Sequence, residues 1–217
     1  MPEMIVLPAS DPRNVARAVQ ALQAGEVVAL PTDTVYGLGA HSGMVAAVEK
    51  LYEIKGRDHQ KAIPLLIARV EDVERVARDV PELAWRLMQR FWPGPVTLVL
   101  PKAATVLELL TAGTGAVALR LPAHAVTLEL ISSLGMPLAA TSANLSGRPE
   151  ALTAEEVVRD LRGRVGLVLD GGRCPGGVAS TVVDLTAHPP AIRRRGALAE
   201  EVEALLGSSV AFGRHQR

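Results

Sequence analysis

The sequence predicts an α/β protein built on one twisted sheet of parallel and antiparallel strands with flanking helices. Short apolar runs alternate with helical patterns over most of the chain, which is typical of this class. The last strand patterns, 167–169 and 181–184, are short and close together, which favours some antiparallel pairing. No repeat, long linker or change in composition divides the 217 residues. We therefore expect one domain over residues 1–207 and a flexible tail over 208–217.

The first helix has clear boundary signals. It follows a short strand at 4–7, and Ser10 or Asp11 is placed to cap it, with Pro12 in its first turn. Gly25 is placed to end it. Its apolar residues have helical spacing and are Val15, Val19 and Leu22.

The next stretch combines a buried strand, 27–30, with the polar and glycine-rich segment 31–39. In α/β sheets, ligands bind beyond the carboxyl ends of strands, and glycine allows the backbone to approach them closely. The segment therefore predicts a ligand site, and a simple turn is the alternative. Ser42 is predicted to cap the helix that follows, whose inner face carries Met44, Val48 and Leu51.

The remaining elements follow from the same signals. Thr153 and Glu156 form a capping-box pattern for a helix that ends at Leu161. Pro101 has no backbone donor and limits the strand before it. The other predicted strands are 64–68, 96–100, 117–121 and 138–140, and the other predicted helices are 71–78, 81–90, one that starts at Pro122 and a last one that carries Val202, Leu205 and Leu206.

Two clusters of cations attract attention. Lys55, Arg57 and Lys61 lie within seven residues, and Arg193–Arg195 forms a second cluster. Each is either solvated surface charge or a grip for phosphate oxygens. Arg120 lies within an apolar strand and either reaches out to solvent or holds an anion.

Hydroxyl and amide side chains follow two of the strands. Ser142 and Asn144 project to the same side if the chain stays extended, or else they cap a turn. Ser180 and Thr181 have the same two interpretations. Together with the cations, these residues predict a site that holds a phosphorylated small molecule and stabilises developing charge.

Composition excludes several classes. Lysine plus arginine equals aspartate plus glutamate, 23 of each, so bulk charge favours neither nucleic acid nor membrane. Aromatic residues are only 3%, too few for a base-stacking platform. The histidines lack metal-ligand spacing, and no metal ligand is predicted. There is no Gly-Lys phosphate loop, no signal-peptide pattern and one cysteine, Cys174, so we expect a cytoplasmic protein.

Six motifs occur in a fixed order: PTDTVYGLG, KGR with Lys61, FWPGPVTLVL, ALRLPAH, SANLSGRP and STVVDLT. In this combination the chain resembles the YrdC-like family of threonylcarbamoyl-adenylate synthases in its short form. The resemblance covers residues 11–196. It implies synthesis of threonylcarbamoyl-AMP and pyrophosphate from L-threonine, bicarbonate and ATP. It also implies Mg²⁺ with the ATP, and partner enzymes that threonylcarbamoylate tRNA at position 37.

The resemblance also assigns residues. It implies catalytic charge from Lys55 and Arg57. The implied ATP contacts are Arg57, Lys61, Ser142, Asn144 and Arg194. The implied threonine contacts are Thr34, Tyr36, Arg120, Ala140 and Ser180. Ala116 and Ala140 fall at contact positions where only the backbone could serve. The sequence departs from the family pattern at Asp58, Leu66 and Ala179, where proline, histidine and glutamate are common.

Two other functions stay open. A paralogous class shares the fold and serves RNA binding, which predicts a module for double-stranded RNA or tRNA. Given the neutral charge, we expect any RNA binding to be weak and to use local clusters. A carbamoyl-transferring domain occurs in hydrogenase maturation enzymes, but the zinc-finger cysteines and the acylphosphatase-like segment of that full enzyme are absent here.

Overall fold

The computed structural model describes residues 4–213. In this part of the chain, ten strands form one mixed sheet, which confirms the predicted fold class. The strands are β1 (Ile5–Pro8), β2 (Val28–Leu30), β3 (Gly37–His41), β4 (Leu65–Leu66), β5 (Val96–Pro101), β6 (Ala116–Arg120), β7 (Leu138–Ser142), β8 (Leu167–Asp170), β9 (Thr181–Asp184) and β10 (Ala191–Arg194). Their order across the sheet is β1-β8-β2-β3-β7-β4-β6-β5-β9-β10. Parallel pairs such as β1–β8 are mixed with antiparallel pairs such as β2–β3.

Helices cover both faces of the sheet. They are α1 (Pro12–Gln23), α2 (Val45–Lys55), α3 (Val73–Val76), α4 (Glu82–Phe91), α5 (Glu108–Thr111), α6 (Ala125–Leu134), α7 (Ala154–Leu161) and α8 (Ala199–Gly213). Helix α8 continues past the expected domain boundary at residue 207. The rest of the expected tail, residues 214–217, lies outside the described residues. No helix in the described part of the chain has the length and apolar character needed to cross a bilayer.

The alternation of side chains along β2 separates two cores. Val28 and Leu30 pack with α1 and α6 on one face, whereas Ala29 packs on the other face with α2, α4 and α7. In α1 the Asp11 side chain caps the helix by accepting a bond from the Arg13 backbone at 2.9 Å, as its sequence signals predicted.

Strand β3 was not predicted, because its two glycines disfavour strands. It forms because β2 and β7 pair with it on either side. A Cβ on Gly39 would lie 2.7 Å from Cδ2 of Leu138, so this position needs glycine for packing. The polar segment 31–36 is therefore a connection between two antiparallel strands, with no helix directly after it.

Several predicted boundaries were wrong. Ser42 does not cap α2, because its hydroxyl donates to the carbonyl of Pro137 at 2.6 Å. In place of the predicted helix 71–78, the chain forms a 3-10 turn, Val70–Asp72, followed by the short helix α3. Helix α3 ends at Val76 because Ala77 forms a β-bridge with Lys102. The helix expected from Pro122 begins only at Ala125, the strand expected at 64–68 is limited to β4, and the short helix α5 was not predicted.

Candidate active site

The connection between β2 and β3 is organised by the hydroxyl of Thr32. It donates to the carbonyl of Val35 at 2.7 Å and accepts from the backbone N–H groups of Thr34 and Val35 at 3.1 and 3.2 Å. The hydroxyls of Thr32 and Thr34 also lie 3.0 Å apart, and this contact allows either of them to donate. The Thr34 oxygen has two lone pairs that can accept hydrogen bonds.

Arg120 uses one of those lone pairs. From the end of β6 its guanidinium donates to Thr34 Oγ1 at 2.9 Å, to Asp33 Oδ1 at 2.5 Å and to the carbonyl of Gly94 at 3.0 Å. Its residue exposure is only 7%. Burial lowers the pKa of Arg120, and the Asp33 charge opposes that shift. The arginine inside the apolar strand therefore points inward and is held by three oxygen acceptors, which excludes the solvent-facing alternative.

Tyr36 supports the glycine-rich loop that follows β8. Its hydroxyl donates to the carbonyl of Gly172 at 2.8 Å and accepts from the N–H of Gly171 at 3.1 Å. The same loop packs tightly against the β2–β3 connection, because a Cβ on Gly176 would lie 2.9 Å from Cα of Thr34. The Tyr36 ring is fully buried, and its hydroxyl holds this loop in place.

Lys55 is the point at which two predicted motifs meet. Its ammonium donates to Ser142 Oγ at 2.9 Å and Asn144 Oδ1 at 2.6 Å, and also to the backbone carbonyls of both residues at 2.7 and 3.0 Å. Four oxygens therefore share three N–H donors. Burial lowers the pKa of Lys55 to about 8, and the charge of Arg57 acts in the same direction.

Helix α2 ends at Lys55 because Gly56 adopts a left-handed conformation with φ 58°. Beyond this turn, Arg57 donates to the carbonyl of Lys61 at 3.1 Å and to that of Ala62 at 2.9 Å. Tyr52 reaches the same Lys61 carbonyl at 3.0 Å. These bonds close the segment 57–62 into a compact loop. The side chain of Lys61 is exposed at the surface of that loop.

Arg194, on the edge strand β10, contacts Ser180 directly. Its guanidinium donates to the Ser180 carbonyl at 3.0 Å and to the Ser180 hydroxyl at 2.9 Å. The Ser180 hydroxyl also lies 2.8 Å from that of Thr97 on β5. A predicted ATP residue and a predicted threonine residue are thus in contact.

The two neighbouring arginines have other roles. Arg193 donates to Asp184 Oδ2 at 3.0 and 2.9 Å, and Arg195 forms an ion pair with Glu203 on α8. The three arginines that follow Ile192 are therefore each engaged within the chain. They do not form a free cationic patch.

The predicted backbone positions lie on central strands. Ala140 is buried in β7, and its N–H donates to the carbonyl of Pro64 at 2.9 Å. Ala116 begins β6 and pairs with Pro101 at its end of the strand. Leu66, where histidine is common in the family, packs in the core below α1 and α6.

The cations share one electrostatic neighbourhood. Burial lowers the pKa of Arg57 and of Arg194, and the Arg194 charge lowers the pKa of both Arg57 and Arg120. The charge of Glu150 acts in the opposite direction on Lys55 and Arg194. Cations that raise each other's energy in partly desolvated positions favour an anionic ligand.

Three residues of this group were not among the predicted site residues. Thr32 fixes the connection, Asp33 pairs with Arg120, and Thr97 contacts Ser180. Thr32 and Asp33 could have been predicted from their place beside Thr34. Thr97 lies in an apolar strand, and nothing in the sequence around it indicates a site. Within the described residues, no group of three or more His, Cys, Asp or Glu side chains is arranged to hold a metal ion.

Two cavities lie away from this site. One of about 470 Å³ is bordered by residues that include Ser42, Leu65 and Met136, and one of about 170 Å³ lies beside Arg69 and Asp72. Neither is lined by a predicted site residue. The chemistry of the buried cations, and not cavity size, therefore identifies the candidate site.

Comparison with known proteins shows the family of this chain. The model of the Sua5/YciO/YrdC family, which carries the description "Telomere recombination", matches residues 20–196. The chain belongs to the Sua5/YciO/YrdC family. The match extends from α1 to the residues just after β10 and so includes every predicted site residue.

Two curated relatives of this family member are named threonylcarbamoyl-AMP synthase. The protein from Pyrococcus abyssi is 45% identical over 187 residues, which cover 86% of this chain and 55% of the relative. The protein from Bacillus subtilis is 44% identical over 203 residues, 93% of this chain and 58% of the relative. The chain thus spans little more than half the length of these relatives. The structure described as P. abyssi Sua5 complexed with L-threonine aligns with a TM-score of 0.89 at 41% identity, covering 95% of this chain and 61% of that one.

Proposed function

We propose that this chain makes threonylcarbamoyl-AMP and pyrophosphate from L-threonine, bicarbonate and ATP. The observation that carries the proposal is the connection of the predicted residues into one group. Lys55 joins the KGR segment to Ser142 and Asn144, and Arg194 joins the nucleotide side to Ser180. The names of the two relatives and the threonine complex of a similar structure support the same reaction.

On the threonine side, Arg120 would bind the substrate carboxylate. A guanidinium has five N–H donors. Bonds to Gly94, Thr34 and Asp33 use three of them, which leaves two for an incoming carboxylate. The Thr34 hydroxyl, which Arg120 and Thr32 hold in place, would form a hydrogen bond with the substrate hydroxyl.

Ser180 and the backbone of Ala140 would complete the threonine subsite. The Ser180 hydroxyl is held between Thr97 and Arg194, so it has a fixed position. Tyr36 would act indirectly, through the glycine loop that packs on Thr34.

On the nucleotide side, Arg57, Lys61 and Arg194 would offset the charge of the phosphates. Two of the Arg57 nitrogens bond to backbone carbonyls, and the third remains available to phosphate oxygens. Ser142 and Asn144 would contact ATP from positions fixed by Lys55, which acts as a buried charge and a support. Mg²⁺ accompanying ATP would be held mainly by phosphate oxygens and water.

The reaction would take two steps. The threonine amine and bicarbonate combine to give a carbamate and water. A carbamate oxygen then attacks the α-phosphorus of ATP, and the bond to pyrophosphate breaks. The site contributes positioning and a preorganised positive field, with no covalent enzyme intermediate. The product would be used by other enzymes of tRNA threonylcarbamoylation in the cytoplasm, where ATP and tRNA are available.

An RNA-binding module is the alternative. No contact favours it, because Arg193 and Arg195 are paired with Asp184 and Glu203. We expect weak, salt-sensitive binding of RNA.

Pyrophosphate release tests the proposal. Purified protein should release pyrophosphate from ATP when L-threonine and bicarbonate are both present, and only background when either is omitted. Pyrophosphate release that does not depend on threonine would overturn the proposed function. Absence of release together with tight RNA binding at physiological salt would also overturn it.

A further inference from the structure

Asp33 has a buried oxygen without a partner. Its side chain is 10% exposed, and Oδ1 lies 2.5 Å from the Arg120 guanidinium. Its second oxygen, Oδ2, is buried and makes no hydrogen bond. Among the described residues, one other buried side-chain atom shares this condition, Nδ1 of His124, whose pKa is lowered by burial and raised by the Asp33 charge.

A buried carboxylate oxygen without a donor is costly, and native proteins seldom retain one without a reason. The position of Asp33 is tightly defined. A Cβ on Gly176 would lie 2.6 Å from the Asp33 carbonyl, and the N–H of Gly177 donates to Thr34 at 3.0 Å. This packing holds the Asp33 carboxylate in one position. Its unused oxygen lies beside Thr34 and Arg120, the two residues expected to bind threonine.

The pair of charges matches the substrate. An α-amino acid carries a carboxylate and an ammonium on the same carbon. Arg120 and Asp33 present a cation with unused N–H donors beside an anion with an unused oxygen. Opposite charges arranged in this way are complementary to a zwitterion, and desolvation strengthens both contacts.

We propose that Asp33 Oδ2 binds the α-ammonium of the substrate, while Arg120 binds its carboxylate. This inference rests on the proposed function. It adds a binding residue and explains how the site would select an amino acid over the corresponding hydroxy acid. It also positions the nitrogen that becomes the carbamate once the ammonium has released a proton.

The test compares two ligands by calorimetry: L-threonine and its analogue with a hydroxyl in place of the amine, 2,3-dihydroxybutanoate of matching stereochemistry. Asp33→Asn should weaken threonine binding about 30-fold or more, as expected for removal of one partner of a buried charge pair. The same change should alter binding of the analogue by less than about 3-fold. Asp72→Asn is the matched control, because Asp72 is also buried and paired with an arginine, Arg75, but lies outside the site.

Equal loss of both ligands would overturn the inference, since Asp33 would then only support Arg120. The wild-type protein supplies a test that does not depend on folding of the variant. It should bind threonine about 100-fold more tightly than the analogue, and equal binding of the two would also overturn the inference. If Asp33→Asn binds threonine as tightly as the wild type, the inference is overturned but the proposed function stands. A wild type that binds no threonine would overturn the proposed function and this inference with it.

Discussion

The Lys55 ammonium lies 2.6 Å from Oδ1 of Asn144, a residue 89 positions further along the chain. Together with its bonds to Ser142, this contact ties the end of α2 to the segment that leaves β7. The lysine is 4% exposed, so its charge is compensated by oxygens of the protein and not by bulk water. Lys55 should therefore matter for stability as well as for the site.

Replacing Lys55 by Met should lower the free energy of unfolding by about 2 kcal/mol, because two buried and two part-buried oxygens lose their donor. Urea denaturation followed by circular dichroism measures this. The control is Lys61→Met, at an exposed lysine of the same segment, which should change stability by less than about 0.5 kcal/mol. Equal effects of the two substitutions would contradict the role of Lys55.

The pH dependence of stability should reveal the same lysine. Burial lowers the pKa of Lys55 to about 8 from the ordinary value of 10.5. Between these values the unfolded chain holds a proton that the folded protein has released, so the free energy of unfolding rises with pH. Relative to Lys55→Met, the wild type should gain about 2 kcal/mol between pH 7 and pH 10. Parallel pH profiles of the two proteins would rule this out.

Arg57→Ala should lower kcat/KM for pyrophosphate release by about 100-fold, because a charge-assisted bond to phosphate is lost. The fold should persist, since the carbonyls that Arg57 contacts belong to an exposed loop. Steady-state kinetics at saturating threonine and bicarbonate measure the effect. Arg86→Ala, at an exposed arginine on α4, is the control and should leave kcat/KM unchanged. A folded Arg57→Ala protein with wild-type kinetics would remove Arg57 from the phosphate site.

Thr34→Val should weaken threonine binding by about 1 to 3 kcal/mol and leave ATP affinity unchanged. Valine has the same shape but gives Arg120 no acceptor and offers none to the substrate hydroxyl. Separate calorimetric titrations of threonine and ATP test this. Thr111→Val, at a buried threonine on α5 whose hydroxyl bonds to its own helix, should change neither. Equal loss of both ligands would mean that Thr34 only supports the connection.

Local signals were sufficient for elements whose boundaries depend on neighbouring residues. Helix α1 has its cap, its proline and its final glycine within the chain segment itself, and α7 begins where Thr153 accepts from the Glu156 backbone. Strand β3 could not be predicted in this way. The close packing at Gly39 depends on Leu138, a residue from a strand far along the sequence. Pairing and packing outweighed local propensity there.

The site shows the same division. Residue types and the family resemblance indicated which cations and hydroxyls to consider. They did not reveal that Lys55 donates its hydrogen bonds to Ser142 and Asn144, or that Arg194 contacts Ser180. Asp33 was visible in its motif, but its unused oxygen depends on how Arg120 and the glycine loop pack around it.

The order of synthesis gives the sheet topology a further meaning. During translation α2 emerges early, but Lys55 has no acceptors until Asn144 has been added. Arg194, on the edge strand β10, and Ser180, just before β9, come later still. Strand β2 also gains its second neighbour only when β8 has been made. Domains complete their packing only when such distant pairings become available. A nascent chain therefore cannot complete the contacts of the candidate site until β10, which carries Arg194, has been made.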